Sequence, residues 1–151
     1  PNFFIDTVWN GFVKRPDRIV HFVGGRRVSW ISSDDMAAVA AAALRDPDAH
    51  AGKIYPLAVE ALTFTEVATI LAAVTGLPVE YRPRPASELF PIMQRQGAEP
   101  LYAASLAEGV AAIERGEMPL YDAVSDTVKR ITGRAPVGWR AFAEARKHLL
   151  A

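Results

Sequence analysis

Two consecutive stretches decide the fold: WISSDDMAAVAAAAL (residues 30–44) and GKIYPLAVEALTFTEVATILAAVTG (residues 52–76). The first predicts a strand that runs into an alanine-rich helix. Ser32 or Ser33 can cap this helix, and Asp34 and Asp35 follow in its first turn. Carboxylates suit that turn because its backbone N–H groups lack partners within the helix. Asp46 and Pro47 predict the end of the helix.

The second stretch predicts a strand over residues 53–59, followed by a helix. Pro56 has no N–H for a ladder, which places this strand at an edge or at a bulge. Thr63 and Glu66 have the spacing of a capping box. The apolar stripe of the helix consists of Phe64, Val67, Ala68, Leu71 and Val74, and Gly76 with Pro78 closes it.

The flanking regions add short strands and several helices. Upstream, residues 3–13 predict a helix whose buried face carries Phe4, Val8 and Phe12. The β-rich runs RIVHF and RRVSWIS on either side of Gly24 and Gly25 predict a hairpin. Downstream, we expect a strand over 78–84 and helices over 86–96, 100–115, 124–132 and 139–150, the first three ending at Gly97, Gly116 and Gly133. The pattern is α+β, and helices dominate the C-terminal half.

Composition limits the function. The chain has 151 residues, 50% of them hydrophobic, which suits one globular domain over 1–151. Seventeen basic and seventeen acidic residues cancel, so neither nucleic acid nor an anionic membrane is an expected partner. No cysteine is present, which excludes disulfides and thiol catalysis. Because no apolar run approaches the roughly 18 residues of a membrane span, and no signal peptide is recognisable, we expect a cytoplasmic protein.

A search for catalytic motifs gives mostly negative results. The glycines never take the dinucleotide-loop spacing, no Tyr precedes a Lys by four residues, and no Gly-x-Ser-x-Gly elbow occurs. His21, His50 and His148 lack metal-ligand spacing, so surface or helix-end positions are favoured over a metal site. An N-terminal proline can act as a catalytic base in tautomerases, but nothing besides Pro1 supports that interpretation. No catalytic residue is therefore assigned.

Charged clusters have a structural and a functional interpretation. The basic residues Lys14, Arg15, Arg18, Arg26 and Arg27 are favoured as a solvated face over a phosphate site. Arg82 and Arg84 alternate on a predicted edge strand, where solvent exposure is favoured over the binding of an anion.

Five blocks in order resemble the C-terminal half of the NmrA-like branch of the atypical short-chain dehydrogenases. They are PNFF, RRVSWISSDDMAAVAAAAL, GKIYPL, ALTFTEVATILAAVTGLPVEY and DAVSDTVKRITGRAPVGWRAFAEA, and together they cover nearly all of 1–151. The branch includes NAD(P)H-dependent quinone reductases and redox-sensing regulators. The resemblance implies an α+β fragment of an α/β NAD(P)-binding Rossmann-type protein, in which the phosphate-binding half would precede Pro1.

The resemblance also implies roles for individual residues. Asn2, Phe3 and Phe4 would lie beside the nicotinamide end of the cofactor. The substrate cleft would include the loop from Trp30 to Ser32 and the helices that carry Leu89, Met93 and Tyr102. Asp35 matches an aspartate that looks structural. The usual Gly-Pro after the 53–59 strand is Val59-Glu60 here, so that loop would differ.

Two functions remain open at this stage. The chain can be the substrate-side part of an NAD(P)-dependent oxidoreductase, inactive without the dinucleotide-binding half. Alternatively, it can be a non-catalytic stand-alone module, either a truncated NmrA-like remnant or a binding and regulatory domain. In both cases we expect no tight NAD(P) binding by this chain alone, because its sequence lacks the glycine-rich loop. We also expect a partner, either the missing half or a second copy, and a small-molecule substrate for the parent protein.

Overall fold

The computed structural model describes residues 3–150, which form five short strands and eight α-helices. In chain order these are β1 (Phe3–Phe4), α1 (Ile5–Lys14), β2 (Arg18–His21), β3 (Val28–Ile31), α2 (Ser33–Arg45), α3 (Pro47–His50), β4 (Glu60–Leu62), α4 (Phe64–Thr75), β5 (Glu80–Pro83), α5 (Leu89–Arg95), α6 (Pro100–Arg115), α7 (Thr127–Thr132) and α8 (Trp139–Arg146). Short 3₁₀ turns precede α5 and follow α8. The predicted α+β class is confirmed.

The strands form two small sheets. In the first, β3 lies between β1, which is parallel to it, and β4, which is antiparallel. In the second, β2 pairs in parallel with β5, so that Ile19 lies opposite Tyr81 and His21 opposite Pro83. Each parallel pair is joined by a crossover that contains at least one helix, as parallel strands require.

The predicted hairpin around Gly24 and Gly25 is wrong. Its two strands, β2 and β3, belong to different sheets. Val23 is fully buried, so the chain enters the core after β2 instead of turning back at the surface. The hydroxyl of Tyr81 on β5 donates to the carbonyl of Gly24 at 2.9 Å, which ties the turn to a strand far along the sequence.

The predicted strand over 53–59 is also wrong, because the strand occupies Glu60–Leu62 instead. The preceding segment, which contains Pro56, bonds to a distant loop. Ser125 donates through Oγ to the carbonyl of Pro56 at 2.7 Å and through its backbone N–H to Ala58 at 2.9 Å. Loop-to-loop contacts therefore take the place of the expected ladder up to Ala58, and Val59 donates to the carbonyl of Trp30 on β3 at 2.8 Å.

The ends of α2 and α4 follow the local capping signals, whereas the buried face of α1 differs from the prediction. Ser32 caps α2 by accepting from the backbone N–H of Asp35, and the predicted capping box of α4 forms around Thr63. The buried side of α1 carries Ile5, Trp9 and Phe12 in place of the predicted Phe4, Val8 and Phe12. The helix starts two residues later than predicted because Phe3 and Phe4 pair with β3.

An aromatic core joins the two sheets to the C-terminal helices. Trp9, Trp30, Phe64, Trp139 and Phe142 are almost completely buried. The Trp30 ring contacts Phe64 and Trp139 edge-on, with centroids 5.1 and 5.2 Å away, and its Nε1 donates to the carbonyl of Leu62. Such contacts hold the strands and α8 in fixed positions.

A buried carboxylate, that of Asp35, and a half-buried one, that of Glu60, attach the C-terminal segment to the rest of the chain. Asp35 accepts from Arg134 at 3.0 Å and from the backbone N–H of Val137 at 2.7 Å. Glu60 accepts from the backbone N–H of Trp139 at the start of α8, and burial raises the pKa of this carboxyl. Among residues 3–150, no helix has the length and apolar character needed to cross a membrane.

Candidate functional site

An apolar cavity of about 330 Å³ lies where α6 approaches β1 and β2. We call it the α6 cavity. The helix contributes one face, since its lining positions recur at intervals of three or four residues. The lining residues are Phe3, His21, Phe22, Leu89, Ser105, Leu106, Gly109, Val110, Ile113 and Met118. None carries a formal charge at neutral pH, and the polar side chains among them are those of His21 and Ser105.

His21 is the polar group fixed in the wall of the α6 cavity. Its imidazole stacks on Phe64, with ring centroids 4.5 Å apart and planes 15° apart, and the edge of Phe3 approaches it at 5.1 Å. Burial lowers the pKa of His21 to about 4, so the ring is neutral at physiological pH. Its Nδ1 is buried and has no hydrogen-bond partner among the described residues. A neutral imidazole offers one N–H donor and one lone pair.

A second depression of about 480 Å³, the α1 groove, runs between α1 and β2. Phe3 and His21 line both spaces and form the wall between them, while Phe4 and Gly11 belong to the groove alone. Two arginines also line the groove, of which Arg18 pairs with Asp17 at 2.6 Å. The groove is therefore more polar than the α6 cavity.

The structure brings together some of the sequence-predicted site residues. Phe3 and Leu89, predicted to contact cofactor and substrate respectively, both line the α6 cavity. Trp30 packs behind Phe3 with ring centroids 5.6 Å apart, but its side chain is fully buried. Ser32 is equally buried as the cap of α2. Neither Trp30 nor Ser32 contributes surface to the cavity.

The remaining predicted site residues lie elsewhere. Phe4 is 38% exposed and lines the α1 groove. Met93 on α5 and Tyr102 on α6 are not among the residues that line the α6 cavity, and Tyr102 is 59% exposed. Asn2 lies outside the described residues. The cofactor and substrate roles of all these positions stay predictions.

Sequence reasoning missed His21, which it interpreted as a surface or helix-end residue. One signal could have found it: His21 and the buried Ile19 are two residues apart on β2 and therefore share a face of the strand. The partners that make the position unusual, Phe64 and Phe3, lie in other elements and could not be inferred from spacing.

The strand-to-helix junctions of β3 and β4 give no free site for a dinucleotide pyrophosphate. At the start of α2, the backbone N–H of Ser33 donates to Asp6 at 2.7 Å, and that of Asp35 donates to Ser32. At the start of α4, the side chain of Thr63 occupies the corresponding position. The start of α1 has no side-chain cap, but the negatively charged carboxylate of Asp6 lies in its first turn and would repel a bound anion.

Several of the basic side chains form local hydrogen bonds and ion pairs. Arg27 forms a two-pronged pair with Glu66, and Arg26 donates to the carbonyl of Glu114. Arg82 pairs with Glu80 on the exposed strand β5, as the structural interpretation predicted, and Arg84, just after that strand, pairs with Glu88. Within residues 3–150, no group of three or more metal-ligating side chains could hold a metal ion.

The fold is similar to about half of the chain in solved oxidoreductase structures. A solved structure of an NADPH-dependent quinone oxidoreductase from Escherichia coli superposes with a TM-score of 0.71 at 20% identity, over 96% of this chain and 52% of that one. Residues 13–133 match the NmrA-like family, and the chain belongs to that family.

Two curated relatives share this similarity. The NAD(P)H azoreductase of Xenophilus azovorans is 36% identical over 149 residues, which are 96% of this chain and 50% of the relative. The oxidoreductase YesF of Bacillus subtilis is 33% identical over 142 residues, 94% of this chain and 49% of that protein. The chain thus spans about half the length of the curated relatives it matches.

Proposed function

We propose that this chain is the substrate-side portion of an NAD(P)H-dependent oxidoreductase, and that it needs a dinucleotide-binding half to act. The observation that carries the proposal is the α6 cavity, an uncharged aromatic and aliphatic space beside Phe3, in a chain of the NmrA-like family. The azoreductase and the quinone oxidoreductase are named as NAD(P)H-dependent enzymes, which supports the same reaction class here.

The residues of this chain are suited to bind the electron acceptor and not the phosphates of the cofactor. The N–H groups that start α2 and α4 already have protein partners, so these two helix N-termini do not fit a pyrophosphate. The walls of the α6 cavity are instead mostly apolar, and an apolar electron acceptor bound between them would displace water. Exclusion of water strengthens electrostatic interactions at the reacting atoms and limits side reactions.

The sheet arrangement supports the need for a second half. Among the described residues, β1 pairs with β3 and has no strand on its other side. Parallel strands rarely remain uncovered, because their sheets are normally buried. We propose that the dinucleotide-binding half covers this edge. A second copy of the chain is the alternative partner, and light scattering over a range of concentrations distinguishes the two, since only self-association raises the mass of the isolated chain.

Intact-mass measurement of the native gene product tests the proposal. We expect a polypeptide about twice as long as this chain, because the relatives are matched over 49–50% of their length, or a stable complex with a separate dinucleotide-binding protein. A native product of this length alone that shows no associated protein and no NAD(P)H-dependent activity would contradict the proposal. It would favour the non-catalytic binding or regulatory module.

A further inference from the structure

The α1 groove follows the open edge of β2. Among the described residues, β2 pairs with β5 alone, so its other edge has no strand partner. All of the strand, Arg18–His21, lines the groove. Because the side chains of a strand alternate between its two faces, a lining of consecutive residues indicates that the backbone edge borders the groove, and not one face of the strand.

Val20 supplies hydrogen-bonding groups at this open edge. The carbonyls of Asp17 and His21 accept from N–H groups at the start of β5 and just after it, and the bonds of a parallel pair recur at every second residue. The N–H and C=O of Val20 therefore point away from β5, and this residue is 43% exposed. An exposed edge of this kind is a template for the addition of a further strand.

The opposite wall of the groove provides room, apolar surface and positive charge. Gly11 lies there in the middle of α1, and a Cβ at this position would meet no atom within 4 Å. Phe4 adds apolar surface. None of the described residues that line the groove is acidic. Of its two arginines, Arg18 pairs with Asp17, whereas Arg15 is exposed and forms no ion pair with a described residue.

We propose that the α1 groove binds an extended peptide segment of a partner protein, in which apolar and acidic residues alternate. The segment would add a third strand beside β2, with its apolar side chains on the face of the buried Ile19 and its acidic side chains on the face of Arg18 and Val20. Main-chain hydrogen bonds to Val20 would supply affinity, and the charge of Arg15 would favour carboxylates over cations. The inference does not depend on the proposed function, because it concerns a binding surface and not the reaction.

Peptide titration of the isotope-labelled chain, followed by two-dimensional NMR and amide hydrogen exchange, tests the proposal. The probes are acetyl-Val-Glu-Val-Glu-Val-amide and acetyl-Val-Lys-Val-Lys-Val-amide, which share their valines and differ in the sign of their charge. The acidic peptide at saturation should shift the amide resonances of β2 and slow hydrogen exchange at Val20 at least about tenfold. The basic peptide should bind about tenfold more weakly, because it places cations beside Arg15, and added salt should reduce this difference.

Two pairs of variants locate the binding surface. Val20→Pro removes the outward N–H, and edge strands tolerate proline at such positions, whereas Val20→Thr keeps both the N–H and a branched side chain. Gly11→Leu fills the groove, and Gly109→Leu on α6 fills the α6 cavity instead. Val20→Pro and Gly11→Leu should abolish binding of the acidic peptide. Val20→Thr and Gly109→Leu should leave it unchanged.

Absence of saturable binding, equal affinities for the two peptides at low salt, or unchanged binding in Gly11→Leu would overturn the inference. If Val20→Pro does not fold, the peptide pair and the glycine variants still decide. Two further results would assign the groove to another occupant and so overturn the proposed partner. Dimers of the chain that Gly11→Leu abolishes would assign it to a second copy. Slow exchange at Val20 in the native gene product without added peptide would assign it to the dinucleotide-binding half.

Discussion

Replacing Asp35 should weaken the fold far more than replacing its neighbour Asp34. The Asp35 side chain has no exposed surface, and its two carboxylate oxygens accept from Val137 and Arg134 at 2.7 and 3.0 Å. Asp34 is 65% exposed and pairs only with Arg146, at 3.2 Å. The two residues are adjacent in the first turn of α2, so they form a matched pair that differs in burial.

The expected loss of unfolding free energy in Asp35→Ala follows from the two hydrogen bonds to its carboxylate. A buried bond to a charged group contributes about 1.5–3 kcal/mol. We assign a contribution in this range to the hydrogen bond from Val137. The contribution of the bond from Arg134 lies at the lower end of the range, because the Arg134 side chain is 47% exposed and screened by solvent. Removal of the buried carboxylate also recovers part of its desolvation cost. We therefore expect Asp35→Ala to cost about 2–4 kcal/mol and Asp34→Ala at most about 1 kcal/mol, the usual range for an exposed pair.

Urea denaturation followed by far-UV circular dichroism measures both values. The dependence of the unfolding free energy on urea should be the same in both variants, so that the midpoints report stability directly. Asp35→Asn should fall between them, since the amide oxygen can still accept from Val137 but the charge is lost. If Asp35→Ala cost no more than Asp34→Ala, the carboxylate would not hold the C-terminal segment, and the assignment of Asp35 as a structural residue would be wrong.

Three further predictions concern the core, the imidazole and the cofactor. Leu71→Ala should lower the unfolding free energy by about 2–5 kcal/mol through cavity formation, and Thr63→Ala should lower it by about 1 kcal/mol through loss of the cap. If Leu71→Ala has no effect on stability in denaturant melts, the apolar stripe of α4 is not buried. The folded-state pKa of His21 is about 4 against 6.5 for the free group, so the unfolded chain binds more protons between these values and stability should rise with pH from 4 to 6.5, by up to about 3 kcal/mol. The increment is measured as the change in unfolding free energy between the two pH values in the wild type, minus the same change in His21→Phe. An equal pH dependence of both proteins would refute it. Calorimetric titration of the isolated chain with NADPH should show no binding at micromolar concentration; a dissociation constant near one micromolar would overturn the argument from the occupied helix N-termini.

Local signals predicted the elements whose determinants lie within one helix. The capping box of Thr63 and Glu66, the stripe ending at Gly76 and the stop at Gly116 all depend on residues a few positions apart, and the structure has them as predicted. The apolar stripe of α1 was misplaced because Phe3 and Phe4 are held by β3, which no local pattern reveals.

Features that depend on distant partners could not be predicted. Gly24 and Gly25 have the composition of a hairpin turn, but β2 pairs with β5, about 60 residues away. The α6 cavity likewise combines Phe3, His21, Leu89 and part of α6, which the sequence spreads over about 100 positions. Family resemblance predicted site roles for Phe3 and Leu89, and only the fold shows that His21 lines the same cavity as these two residues.

The central claim, that this chain holds the electron acceptor of an NAD(P)H-dependent reductase, is tested most directly by hydride transfer in the native gene product. The measurement follows the absorbance of NADPH, and separately of NADH, when 2-methyl-1,4-naphthoquinone is added to the protein purified from its own cells. We predict quinone-dependent oxidation of one cofactor, which Gly109→Leu abolishes and Gly11→Leu preserves. A folded native product that oxidises neither cofactor, or one whose rate is unaffected by Gly109→Leu, would contradict the account.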